Sequence, residues 1–150
     1  MDAVSYPHSS VIDFISSNLV PLRIASDHKE LAPQFKVKWT PLLLLLDASG
    51  AELSRTMGFF PPEEFVPSLL LGMGKAQFDK GERPGAIKQF DLVLQDYPNS
   101  SSAPEAVYLK GVANYIETKD VNHLKNLYQS LKKDYPHSTW VARATPYSLL

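Results

Sequence analysis

Residues 39–58 read WTPLLLLLDASGAELSRTMG and set a strand, a tight turn and a returning strand in one uninterrupted run. Five consecutive leucines offer no polar face, so Leu42–Leu46 is expected as a strand covered on both sides. Asp47-Ala48-Ser49-Gly50 carries turn chemistry, with Gly50 free to take a positive φ. Ala51–Met57 is then expected to return as an antiparallel edge strand.

On the N-terminal side, Val11, Ile12, Phe14 and Ile15 recur at helical spacing, with Ser9 or Ser10 as cap and Asn18 as the end. Leu19–Ala25 reads as a second sheet strand, in which Pro21 must sit at the start or at an edge. Lys29–Phe35 reads as a short helix that tolerates Pro33 only near its first turn. On the C-terminal side, Pro61-Pro62-Glu63-Glu64 opens a helix with proline in the first turn and carboxylates at the positive end of the dipole. That helix is expected to run to Lys80, with Gly81 as its C-cap.

Beyond Gly81 only helical patterns follow, broken at Pro98-Asn99-Ser100, Thr118-Lys119-Asp120 and Pro136. The expected fold class is therefore α/β plus all-α, with a first domain over residues 1–66 and a helical one over 67–150. The second domain repeats itself. Asp96-Tyr97-Pro98-Asn99-Ser100 returns as Asp134-Tyr135-Pro136-His137-Ser138, 38 residues on, and Gly74-Lys75-Ala76-Gln77-Phe78 returns as Gly111-Val112-Ala113-Asn114-Tyr115, 37 residues on. A period in the thirties with two helices per unit resembles the tetratricopeptide repeat. The first copy also carries a small-x3-aromatic step as Ala86 and Phe90, where the second reads Leu124 and Tyr128. Thr139–Ala144 is expected as a short capping helix whose Trp140 covers the end of the stack.

Residues 1 to about 66 resemble a thioredoxin-like domain in the order of their elements, and Thr40-Pro41 is the motif that carries the likeness. The resemblance implies a cis Thr40–Pro41 bond presenting backbone groups to an extended peptide. It also implies that a central strand and a C-x-x-C helix start belong before Met1, leaving an incomplete thioredoxin-like sheet here. The alternative function it implies is a truncated thiol–disulfide oxidoreductase whose cysteines lie upstream of Met1.

Composition limits the remaining classes. The 150 residues are 44% apolar and 21% charged, with a formal net charge of -1, which gives no long-range field for nucleic acid or an anionic membrane. There is no cysteine, so thiol redox chemistry, disulfides and thiolate metal sites lie outside this chain. No apolar run approaches the ~20 residues of a membrane span, and the first residues show no secretory pattern, so a cytoplasmic protein is expected. His8, His28, His123 and His137 lack the spacing of a helical metal site, and Asp47 reads as a turn cap. Glu63 and Glu64 read as dipole partners rather than a catalytic pair. The sequence thus points to no catalytic residue, no metal and no cofactor.

What is left is an interaction module. Residues lining a tetratricopeptide groove come from the first helix of each unit, which places Leu71, Lys75 and Phe78 beside Tyr108, Val112 and Tyr115. Aromatic anchors and a cation suit a protein or peptide partner. Thr40 and Pro41 form a second peptide-facing place, and the open sheet edge is expected to support a homo-oligomer.

Overall fold

The computed structural model describes residues 1–150, which divide into two compact units, Met1–Val66 and Pro67–Leu150. In the first, α1 covers Ser9–Asn18, α2 Leu31–Gln34, β1 Leu42–Leu46 and β2 Glu52–Met57. Helix α3, Pro62–Asp79, carries the chain from one unit into the next, with Pro67 inside it.

The β1–β2 hairpin forms where the turn residues put it. Gly50 has φ +83°, and the Asp47 carboxylate accepts from Ser49 N–H at 2.9 Å, Ser49 Oγ at 2.6 Å and Ala51 N–H at 3.1 Å. Thr40–Pro41 is a cis peptide bond at the head of β1. In the same unit, Val11, Ser5 and Phe65 are fully buried. Ser5 Oγ donates to the Phe60 carbonyl, and the Tyr6 ring meets Phe65 edge-on at 5.7 Å.

Two strand expectations need correction. Leu19–Ala25 forms no strand, and Val20 and Leu22 are 96% and 79% exposed. An extended segment becomes a strand only by pairing, and the sheet contains two strands, β1 and β2, so nothing pairs with this one. The pentaleucine is likewise not covered on both sides, because only Leu45 is buried and the other four leucines are half-buried. A two-stranded sheet has too few neighbours to enclose a fully apolar strand.

The second unit is helical throughout. After the end of α3 come α4 (Arg83–Asp96), α5 (Ala103–Thr118), α6 (Asn122–Asp134), α7 (Thr139–Ala144) and a 3-10 turn over Thr145–Leu149. Gly81 at φ +81° and Lys119 at φ 61° turn the chain between helices. The two Asp-Tyr-Pro steps fold alike. Tyr97 and Tyr135 close α4 and α6 with nearly identical backbone angles, their N–H groups reaching Val93 and Leu131 at 2.9 Å. The Tyr135 hydroxyl then donates to the Pro98 carbonyl at 2.8 Å, joining one turn to its repeat.

Close helix approach depends on two glycines. A Cβ on Gly74 would lie 2.5 Å from Phe90 Cε1, and one on Gly111 would lie 2.4 Å from Leu127 Cδ2. Phe90 and Leu127 are buried, as are Ala86, Val93, Leu124 and Leu131 on the same two helices. The partner of Gly111 is therefore Leu127, whereas the sequence alignment matches Phe90 with Tyr128. The offset is 37 residues between the two glycines and 38 at the left-handed turns Gly81 and Lys119 and at the Asp-Tyr-Pro turns, so the extra residue enters between Gly111 and Lys119.

Candidate peptide-binding groove

Helices α3 and α5 are joined by an ion pair, Lys75 Nζ to Glu105 Oε1 at 2.7 Å. Both ends retain solvent contact, so the pair fixes geometry more than it stabilises. Leu71, four residues earlier on α3, is buried and serves packing. Phe78 is half-buried, with the Arg83 guanidinium 6.0 Å from its ring centroid. Of the three residues expected on α3, Lys75 and Phe78 are thus the ones that solvent reaches.

On α5 the three expected residues are engaged within the unit. Tyr108 lies 5.0 Å from the Trp140 ring and 6.0 Å from the Tyr147 ring, and its hydroxyl is 3.1 Å from the Tyr147 hydroxyl. Val112 and Tyr115 pack, half-buried, against Leu124, Leu127, Leu131 and Ala144. Arg143 caps the aromatic cluster, its guanidinium 4.4 Å from the Trp140 centroid. Trp140 does cover the end of the stack. Tyr147 closes the cluster from 39 residues away, and no periodicity announces that contact.

The hydrogen bond to Tyr108, then burial, then Tyr108 itself push the Tyr147 phenol from 10.0 up to about 12. A group held protonated by the fold contributes fully below its unfolded value, and that contribution is lost as the pH rises through the folded one. The Tyr147 contribution is therefore complete below pH 10 and disappears on approach to about 12. In a near-ultraviolet alkaline titration, Tyr147→Phe should remove the latest phenol ionisation. A late step that survives this substitution would assign it to another tyrosine.

The tandem Asp-Tyr-Pro turns, the approach of α3 to α4 at Gly74 and Phe90, and the paired helices α5–α6 place this unit among helical-hairpin arrays. Residues 68–100 match the tetratricopeptide repeat family model. The matched segment contains Leu71, Gly74, Lys75, Phe78, Ala86 and Phe90, and ends on Ser100, whose Oγ donates to the Tyr97 carbonyl at 2.8 Å. No thioredoxin-like family is matched. Comparison with curated proteins and with solved structures gives no significant match.

Between α5 and α6 the structure opens a cleft that periodicity did not single out. It has about 760 Å³ and is lined on α5 by Val107, Lys110, Gly111 and Asn114, with Asn126 and Lys133 across on α6. Lys110 is held by Asp91 at 2.5 Å. The signal for it was the i, i+3, i+4, i+7 spacing on α5, a face about a third of a turn round from the one carrying Tyr108, Val112 and Tyr115.

Thr40 and Pro41 belong to the other unit. Thr40 is exposed, Pro41 is half-buried, and the Pro41 carbonyl accepts from Gly58 N–H at 2.9 Å. Elsewhere in that unit, Gln34, Lys36, Lys38, Glu52 and Arg55 line a cleft of about 540 Å³. Arg55 donates to Glu52 at 2.8 and 2.6 Å and to the Phe35 carbonyl at 2.7 Å. That hydrogen bonding holds the Glu52 carboxyl below its usual range and raises Arg55. No helix is long and apolar enough to cross a membrane.

Proposed function

We propose that the chain is a non-catalytic protein-interaction module that holds an extended peptide along α3 and α5. The tetratricopeptide match over residues 68–100 carries this reading, since such repeats typically mediate contacts between proteins. Lys75 and Phe78 supply a cation and an aromatic face, Tyr108, Val112 and Tyr115 supply an apolar wall, and Leu71 packs beneath them. Residues 1–66 are read as a redox-inactive, thioredoxin-like unit from the order α1, α2, β1, β2, α3. There Thr40, Pro41 and the unpaired edge of β1 present backbone to another strand.

The groove is tested by panning a phage-displayed library of random dodecapeptides on the whole chain and measuring the selected peptides by calorimetry. Phe78→Ala and Lys75→Gln together should weaken them by about tenfold or more, the loss of about 1.4 kcal/mol expected of one interface anchor. Selected peptides whose affinity ignores both substitutions would place binding elsewhere and overturn the groove. A library that yields no binder would overturn it as well.

A further inference from the structure

One edge of β1 is paired with β2, and the other carries no strand. The hairpin bonds tell which backbone groups face which way. Gly58 N–H donates to the Pro41 carbonyl and Asp47 N–H to the Ala51 carbonyl, each at 2.9 Å. Bonding groups alternate along a strand, so positions 41, 43, 45 and 47 turn theirs toward β2. Leu42, Leu44 and Leu46 turn N–H and C=O toward the open edge. The register shift between Leu45 and Leu46 is taken up by Leu53 on β2, so the alternation along β1 is unbroken.

Edge strands are normally blunted by charge, by proline or by a covering element. Leu42–Leu46 contains neither charge nor proline, and four of its five side chains are only half-buried. Trp39, Met57 and Phe59, beside the hairpin in sequence, are 71%, 59% and 54% exposed. The edge combines free backbone donors with uncovered apolar side chains.

We propose that β1 pairs antiparallel with β1 of a second copy of this chain, on a two-fold axis at Leu44, forming one four-stranded sheet. This rests on the reading of the β1 edge as an interaction surface. A two-fold contact must be self-complementary, and a run of identical residues meets that condition in either direction. Centred on Leu44, the pairing sets Leu44 against Leu44 and Leu42 against Leu46, the residues whose backbone groups are free. Each copy's three free N–H groups then find an acceptor. Centring on Leu43 or Leu45 leaves one free leucine of each copy outside the leucine run, Leu46 opposite Thr40 or Leu42 opposite Ala48. Centring on Leu42 or Leu46 leaves two free leucines beyond the paired run.

Charge agrees with the same register. Asp47 is the charge that ends the strand, and it falls opposite Pro41 of the other copy. The two Asp47 carboxylates stand at opposite ends of the ladder, and Lys38 faces Gly50. No like charges oppose one another, a condition that favours cross-strand pairing.

The test uses the whole chain. Sedimentation from micromolar to hundreds of micromolar should show conversion from one to two copies. Across that range the amide exchange of Leu42, Leu44 and Leu46 should slow in proportion to the dimer fraction, while Leu43 and Leu45 stay protected throughout. Leu44→Pro removes an outward donor and no β1–β2 bond, so it should abolish the dimer and leave the helical circular dichroism unchanged. If Leu44→Pro disturbs the hairpin, the exchange pattern of the unsubstituted chain still decides. A monomer whose outward amides become protected only on adding an unrelated strand-forming peptide would overturn the second copy and keep the edge as an interaction surface. A monomer whose outward amides stay open under both conditions would overturn both readings.

Discussion

Phe90→Ala should lower the unfolding free energy of the helical unit by about 3–5 kcal/mol, the range for truncating a fully buried phenylalanine. Phe90 is 0% exposed and its ring lies against the bare Cα of Gly74 on the neighbouring helix. Removing the ring takes away its transfer free energy and leaves a space that α3 and α4 fill only by moving toward each other. Val93 and Ala86, on the same helix face, are also 0% exposed, so few side chains are free to swing in. Denaturant titration should show the midpoint falling with the slope retained. The pairing with Gly74 adds a sign test. In the native background Gly74→Ala should destabilise, since its Cβ would stand 2.5 Å from Phe90 Cε1. In the Phe90→Ala background that obstacle is gone, and the same substitution should stabilise by up to about 1 kcal/mol through helix propensity. Equal effects of Gly74→Ala in both backgrounds would show that the ring does not sit where the packing places it.

The helical unit was legible because its signals are local and occur twice. Gly74 and Gly111 each meet the residue sixteen positions on, and Tyr97 and Tyr135 each close a helix the same way, so two copies check each other within one sequence. The hairpin was legible for a similar reason, because Asp47 and Gly50 make the turn from their own backbone and side-chain chemistry. Leu19–Ala25 was not, because its alternation of Val20, Leu22 and Ile24 fits a strand while strand formation depends on a neighbour. The candidate site was half legible. Lys75 and Phe78 reach solvent as their helix positions imply, but the surroundings of Tyr108 are set by Trp140 and Tyr147, more than thirty residues away. The exchange of Tyr128 for Leu127 beside Gly111 has the same origin. Alignment by motif counts residues, whereas packing depends on how α6 rotates about its axis, and one residue is about 100° of that rotation.

Gly111→Ala sets two known effects against each other, and packing should win. Alanine in place of a mid-helix glycine is worth up to about 1 kcal/mol of propensity. Against it, the new methyl would lie 2.4 Å from Leu127 Cδ2 and 2.6 Å from Leu127 Cβ. A rotamer change can move Cδ2 but not Cβ, which is fixed to the α6 backbone, so α5 and α6 must separate. Overpacking of this kind costs about 1–3 kcal/mol, and contact at a backbone-anchored atom belongs in the upper part of that range, leaving a net loss of about 2 kcal/mol. Leu127 is 3% exposed, and Leu127→Ala alone should cost about 2–5 kcal/mol. The double substitution should cost less than the sum by about 1 kcal/mol, because Leu127→Ala removes the Cγ and Cδ2 that the methyl meets but keeps the Cβ at 2.6 Å. Thermal or urea unfolding of the four chains measures that coupling. Additive losses would mean that the Leu127 Cγ and Cδ2 contacts contribute nothing to the cost at Gly111, leaving it to the retained Cβ. Coupling of the expected sign would assign the glycine of the second hairpin, like Gly74 in the first, to the close approach of its two helices.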